Sequence, residues 1–327
     1  DVWQVTVRDP AGAPIPDCTV FAVGGQLGFR AETDATGRAS IRVEAGLVNR
    51  VIISPRAGFW SRVVPPPQGS RSIEATLMPL DAARSSAWML SLLGVNAHHA
   101  GPSGQGVTIA VVDSGIARVP GLIVRDGLNT LDGGDPAGWA TDEKGHGTHC
   151  AGITAARPDE AARFRGIAPG AEIFSVKVFP GGFISDLVEA IDWCRERRVD
   201  LVNLSLGSQS WSEALAAAIT EAVAAGVTLV AATGNDATSV AFPASHPLVL
   251  GVGAIGRMTS FPQDSAHAER IGPYRDWHGG LFSATFTNFG AGVDVCAPGV
   301  AIASTVPQGY AAWDGTSMAC PAVTGLL

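Results

Sequence analysis

The sequence predicts two architectures in one chain: a small all-β sandwich over residues 1–80, and an α/β domain over residues 106–327, joined by a linker over 81–105. The α/β part reads as three layers, a doubly wound parallel sheet with helices on both faces. Three observations carry this. Residues 1 to 80 hold short alternating runs separated by Gly/Pro turns, without helical periodicity. From Gly106 onward, apolar β-branched runs alternate with helical stretches, the pattern of repeated βαβ units. With 46% hydrophobic and 16% charged residues among 327, the chain can bury a sizeable core.

In the first part, Val2-Trp3-Gln4-Val5-Thr6-Val7 alternates and is closed by the turn Asp9-Pro10-Ala11-Gly12. Strands follow at Cys18–Val23, at Ala39–Glu44 after the turn Thr33-Asp34-Ala35-Thr36-Gly37-Arg38, at Val51–Ser54 and at Ser72–Leu77. Pro65-Pro66-Pro67-Gln68-Gly69 is a rigid connection between strands. The turns in Gly12-Ala13-Pro14-Ile15-Pro16 and Thr33–Arg38 resemble those of carboxypeptidase regulatory-like domains, which implies a transthyretin-like sandwich. The join lies near Pro79–Ser86. Ala87–Ala100 reads as short helix or coil, with Trp88, Leu92 and Leu93 as packing residues and His98 and His99 on the surface.

In the second part the strands are Val107–Val112, Glu172–Phe179, Asp200–Leu204, Val227–Ala232 and Leu248–Val252; the helices are Gly145–Ala156, Ser185–Arg197 and Ser212–Ala225. Arg195-Glu196-Arg197-Arg198 is the solvated end of a helix. The long connection from Gly256 to Phe286 carries Phe261, Tyr274, Trp277, His278 and Phe282. It reads as a self-packed surface loop, with a lid or exosite as the alternative.

Bulk properties exclude some functions. The net charge is −8 and no basic face is evident, against nucleic acid or an anionic membrane as partner. No apolar run reaches the roughly 18–20 residues of a membrane span. The five cysteines, Cys18, Cys150, Cys194, Cys296 and Cys320, are too few and too scattered for a disulfide framework or a metal site, although one bridge is possible. The chain begins at Asp1, so no leader can be read.

Functional groups of parallel α/β sheets gather beyond the carboxyl ends of the strands. Asp113 stands there in Val111-Val112-Asp113-Ser114-Gly115, a partly desolvated acid in need of a partner. His146 opens a helix within Gly145-His146-Gly147-Thr148-His149-Cys150-Ala151-Gly152, where small residues allow close approach to another backbone. His146 and His149 are i,i+3, but no further ligand has matching spacing, so no metal is expected. Cys150 reads as a small buried hydrophobe turned away from His146. Asn235 closes Ala231-Ala232-Thr233-Gly234-Asn235 and can aim an amide at a reacting carbonyl. In Asp314-Gly315-Thr316-Ser317-Met318-Ala319-Cys320-Pro321, a tight turn puts Ser317 at a helix N-terminus with a free backbone N–H. Taken singly, each has a bland reading, as an Asx turn, a cap or a turn residue. Together they supply an orienting acid, a base, an oxyanion donor and a nucleophile.

The order Asp, His, Ser along the chain is similar to that of the subtilisin-like serine proteases. From about Trp88 to Leu327 the chain resembles the subtilases, the subtilisin-like serine proteases, through VVDSG, HGTHCAG, ATGN and GTSMACP. The resemblance implies a three-layer α/β/α fold and a serine endopeptidase. Asp113, His146 and Ser317 form its triad, with Asn235 and the Ser317 N–H as oxyanion hole. It implies a protein or peptide substrate pairing as a strand between Gly181-Gly182 and Ser205-Leu206-Gly207. Ala231, Ala232, Thr233 and Gly234 would wall the primary specificity pocket, and Ala241 would lie at its floor. With no acid there, an apolar or uncharged side chain is expected before the scissile bond. Ile184 and Leu187 would line a further apolar subsite.

No cofactor is needed for such catalysis. Structural calcium is common in the family, and Asp132-Gly133-Gly134-Asp135 is a stretch to test for it. Two departures stand out: Ala322 replaces the usual His after Pro321, and the chain stops at Leu327, about three turns into the serine helix, where family members continue. A truncated or catalytically impaired, peptide-binding form is therefore the alternative reading. Residues 1–80 could contact the catalytic part, or act as an inhibitor released by cleavage near Pro79–Ser86, although the inhibitory prodomains of the family are α+β. The resemblance places the protein outside the cytoplasm.

Overall fold

A computed structural model describes residues 1–24, 27–95, 103–131, 133–158, 163–276 and 279–327. The expectations for His98, His99, Asp132, Trp277 and His278 fall outside the described residues. The chain forms two compact units.

Unit 1 comprises Asp1–Asp81 with Phe261–Glu269 and Tyr310–Ala312. Its strands are β1 (Val2–Arg8), β2 (Thr19–Gly24), β3 (Leu27–Glu32), β4 (Arg38–Arg42), β5 (Arg50–Ser54), β6 (Arg62–Val64) and β7 (Ser72–Thr76). They form a three-stranded sheet, β4-β1-β7, and a four-stranded sheet, β3-β2-β5-β6. Alternation sends Trp3, Val5 and Val7 of β1 into one core with Val20, Ala22, Val51 and Ile53. Of the seven strands, the sequence reading lacks β3 and β6. Both are edges of the larger sheet, where a half-exposed strand carries a weaker alternation signal.

The segment 261–269 is not the self-packed loop expected from sequence. The Val63 N–H of β6 donates to Asp264 O at 2.7 Å. Arg50 Nε lies 2.7 Å from a Glu269 carboxylate oxygen, and the His267 ring meets Trp60 edge-on at 5.6 Å. This stretch completes the open edge of the sandwich sheet with hydrogen bonds and aromatic packing. The join differs too. Leu80 N–H donates to Gly58 O at 2.9 Å, and α1 (Ala82–Leu92) begins at once. Helical spacing buries Ala82, Ser86, Met89 and Leu90 with Trp88 and leaves Leu92 outside, contrary to expectation.

Unit 2 continues with β8 (Thr108–Asp113), β9 (Val124–Asn129), α2 (His146–Ala155), β10 (Glu172–Lys177), α3 (Ile184–Glu196), β11 (Leu201–Leu204), α4 (Glu213–Ala224), β12 (Thr228–Ala232) and β13 (Leu250–Arg257). After them come β14 (Ile271–Asp276), β15 (Leu281–Ala284), β16 (Val295–Pro298), β17 (Ile302–Val306) and α5 (Thr316–Leu326); β18 (Gly309–Trp313) follows β17, and its Tyr310–Ala312 belong to unit 1. The large sheet runs β14-β15-β13-β12-β11-β8-β10-β9, with β16 also on β13. From β9 to β13 every pairing is parallel. The remainder of the long 256–286 connection is the antiparallel hairpin β14–β15 at the sheet edge, with Phe282 buried and Tyr274 exposed.

The period of two along each strand separates the faces. Ala110, Val112, Val202, Leu204, Leu229 and Ala231 pack with Leu187, Ala190 and Ile191 of α3 and Leu215 and Ile219 of α4. Leu187 is thus a core residue of this face, not part of a substrate subsite, while Ile184 is exposed. Asn203 and Val230 point to the other face, where Cys320 of α5 donates its thiol to Asn203 Oδ1 at 3.2 Å or Val230 O at 3.3 Å. All five thiols are free, and only Cys296 is exposed. Among the described residues, no helix is long and apolar enough to cross a membrane.

Candidate active site

The parallel order places the carboxyl end of β8 near the centre of the sheet, and Asp113 is its last residue, fully buried. Its Oδ1 accepts from Ser114 N–H at 2.7 Å. His146 is the first residue of α2, set by Gly145 in a left-handed conformation with φ 76°. The helix start comes close because Gly147 lacks a side chain: a Cβ there would stand 2.2 Å from Gly115 O. The result is a two-point contact, His146 Nδ1 to Asp113 Oδ1 at 2.8 Å and to Oδ2 at 3.0 Å. A quarter of the His146 side chain (25%) stays open to the cleft. The rings of Phe179 and Trp313 flank it at 6.0 and 6.3 Å.

Burial of the imidazole opposes its protonation, but the charge and hydrogen bond of Asp113 outweigh this and hold the His146 pKa well above its ordinary value. Cys150 also faces the ring, with Sγ 4.0 Å from Nδ1. The sequence reading turned it away, yet i and i+4 share a helix face, so the structure corrects this. Burial raises the Cys150 pKa, so at neutral pH it stands there as an uncharged thiol.

Ser317 is the second residue of α5, where a backbone N–H has no partner within the helix. Its Oγ donates to Ser205 O at 3.1 Å. Pro321, four residues on, explains a second feature. Proline has no N–H, so the Ser317 carbonyl loses its helical partner. The Ser205 hydroxyl donates to that carbonyl at 2.9 Å, and the Cys150 thiol at 3.4 Å. The cysteine beside the histidine and the proline behind the serine thus serve one backbone group.

Asn235 follows β12. Its Oδ1 accepts from Thr316 N–H at 2.8 Å and from the Thr316 hydroxyl at 2.9 Å. With the oxygen so held, the amide N–H₂ faces the open side. Gly234, at φ +107°, brings the turn against Asn288, since a Cβ would stand 2.3 Å from Asn288 Nδ2. Asn288 is buried and ties the loop at both ends: it donates to Thr233 O and Ser239 O, both at 2.9 Å, and accepts from Asp236 N–H at 2.9 Å. Thr316 and Asn288 hold Asn235 and its loop in place, and the sequence reading does not single them out. Thr316 could have been found from its place before Ser317; an isolated Asn such as Asn288 carries no local signal.

Beside Ser317 and Asn235 lies a pocket of about 220 Å³. Of the residues expected there, Ala232, Gly234 and Ala241 line it; Leu206 and Gly207, expected as a substrate-pairing edge, line it as well, and so do Ser208, Gln209, Asp236 and Thr316, which were not expected. Its two walls are joined by reciprocal 2.8 Å bonds between Ser208 and Phe242. Ala231 faces the core instead, and Thr233 gives its hydroxyl to Val252 O at 3.2 Å. Both are turned away by alternation along β12 and its extension. Asp236, an exposed residue, also lines the pocket, apart from the floor expected at Ala241. Gly181 and Gly182 sit exposed between β10 and α3; a Cβ on Gly182 would strike Val178 O at 1.8 Å, so the chain can turn there only with glycine. Asp135 of the proposed calcium stretch has an Oδ1 that accepts from Ala137 N–H at 2.9 Å.

Comparison with known proteins places these motifs in context. The family model described as the subtilase family matches residues 104–327. Subtilisin BL of Lederbergia lenta is 36% identical over 249 residues, covering 74% of this chain and 83% of that protein. The M-protease of Shouchella clausii strain KSM-K16 is 36% identical over 250 residues, covering 75% of this chain and 59% of that protein. Among solved structures, sphericase aligns with a TM-score of 0.61 at 26% identity, covering 73% of this chain and 81% of that one.

Proposed function

The chain belongs to the subtilase family and is a serine endopeptidase; from this premise we propose that Asp113, His146 and Ser317 are its triad and Asn235 its oxyanion donor. The observation that carries the reading is the two-point contact of His146 Nδ1 with buried Asp113 at 2.8 and 3.0 Å. It fixes the tautomer with the proton on Nδ1 and leaves Nε2 as the base. The Ser317 hydroxyl donates to Ser205 O; in the reaction it must turn from that carbonyl toward Nε2. The Ser317 oxygen attacks the peptide carbonyl and its proton passes to Nε2. The Asn235 amide and the Ser317 N–H hold the oxyanion. His146 then gives the proton to the leaving amine, and water repeats the sequence on the acyl-enzyme. Catalysis needs no cofactor.

We further propose that the substrate lies as a strand between Gly181-Gly182 and Ser205-Leu206-Gly207. The residue before the scissile bond enters the pocket over Ala232, Gly234 and Ala241, uncharged and of modest size. Protein or peptide in an extracytoplasmic setting is the substrate class, and residues 1–80 are an accessory sandwich. A fluorophosphonate probe tests the nucleophile: wild type is labelled and Ser317→Ala is not, whereas labelling of the variant would overturn the assignment.

A further inference from the structure

We propose that Asp142 is a positioning residue for the proton transfer, acting on Asp113 through the hydroxyl of Ser114. The proposal rests on the triad reading above. Asp142 lies in the loop before α2 and is buried. Both its oxygens are fully used: Oδ1 accepts from Ser114 Oγ and Gly145 N–H, each at 2.8 Å. Oδ2 accepts from Thr148 N–H at 2.9 Å and the Thr148 hydroxyl at 2.6 Å. Gly145 and Thr148 bracket His146, so this carboxylate anchors the turn of helix that carries the base.

Ser114 is the link. Its oxygen accepts from Gly147 N–H at 3.0 Å. Its single proton faces two buried carboxylates, Asp142 Oδ1 at 2.8 Å and Asp113 Oδ1 at 3.2 Å. The shorter contact takes it. Asp142 therefore holds a donor away from Asp113. The Asp113 charge, less satisfied by its surroundings, is more available to the imidazolium that forms on His146 during attack. The other groups facing this cluster do not supply the effect. Cys150 faces His146 as a thiol, and Lys177, at the end of β10, gives its ammonium to Thr141 O at 3.2 Å and Thr141 Oγ1 at 3.3 Å. Glu143 and Lys144 are exposed.

Asp142→Asn removes the charge and keeps the shape. The Ser114 proton then prefers the remaining charged acceptor, Asp113, because hydrogen bonds to ionised groups are the stronger. The acid limb of the kcat/KM profile is expected to move down by about one pH unit. The kcat per site titrated with a fluorophosphonate falls about tenfold, with KM little changed. In a Ser114→Ala background, Asp142→Asn is expected to shift the limb no further from where Ser114→Ala alone sets it. An unmoved limb in Asp142→Asn, or the same shift with and without the Ser114 hydroxyl, would overturn the proposal. A measurement on the wild type stands beside the variants. Neutron diffraction is expected to show the Ser114 hydroxyl hydrogen on the line to Asp142; a hydrogen directed at Asp113 refutes the relay. If the relay fails while Ser317→Ala still abolishes labelling, only this proposal falls. If that variant is still labelled, the triad falls with it.

Discussion

The two poles of the proposed site are built to opposite rules. At the acid–base pole, Asp113 is wholly buried, and each of its contacts is made within the folded chain. At the nucleophile pole, Asn235 is exposed and Ser317 spends its proton on a backbone carbonyl 3.1 Å away. The difference follows from what each pole must do. A charge that orients a base is worth most in a dry, fixed setting. A nucleophile and an oxyanion donor must meet a substrate that arrives from outside, so they are steadied from behind and left open in front. The steadying groups are Ser205 and Cys150 behind Ser317, and Thr316 behind Asn235.

The comparison can be broken by substitution. Ser317→Ala is expected to have the largest effect, a loss of kcat of about a millionfold, a scale for which subtilisin itself is the reference. Asp113→Asn leaves the volume but lets the wrong tautomer form, and kcat should fall about 10⁴-fold in steady-state assays. Asn235→Ala removes one oxyanion donor, for about 10²–10³-fold in kcat with KM nearly intact. A large rise in KM instead would make Asn235 a binding residue. Ser205→Ala, at the rear of the open pole, should cost about 1–2 kcal/mol in urea unfolding, since it leaves a buried carbonyl with the Cys150 thiol alone.

A pH series separates the poles without mutation. The His146 pKa is raised by Asp113. The base is therefore active only above that raised value, and kcat/KM should climb on an acid limb lying above pH 6.5. Stability runs the other way. The pair's stabilising contribution is complete below the unfolded His value and is lost as pH rises through the folded one. Activity and the pair's share of thermal stability should thus change in opposite directions across the same window, measured by initial rates and by melting curves. A parallel rise of both would mean that the pair is not the pH-sensitive element.

Much of the site was legible because its signals are local. Asp113 closes a β-branched run, His146 sits among small residues before a helix, and Ser317 follows Asp-Gly-Thr at another helix start. The opposite is true of Asn288, of Cys150 beside His146, and of the segment 261–269. Asn288 reaches Thr233 across 55 residues, and Cys150 reaches Ser317 across 167. No pattern of period two or 3.6 reports such pairings. The edge strands β3 and β6 were missed because a half-exposed edge needs little apolar alternation.

By itself, then, the sequence determined the order of the strands β8, β10, β11, β12 and β13 with the helices α2, α3, α4 and α5, and the places of Asp113, His146, Asn235 and Ser317 at element ends. These follow from periodicity, turn chemistry and the rule that parallel sheets gather function at one end. Only the tertiary structure decided which carbonyl holds the serine proton, which pocket residues face inward and which carboxylate shares the Ser114 hydroxyl. Those outcomes depend on distances between residues far apart in the chain, where a shift of a few tenths of an ångström selects the acceptor.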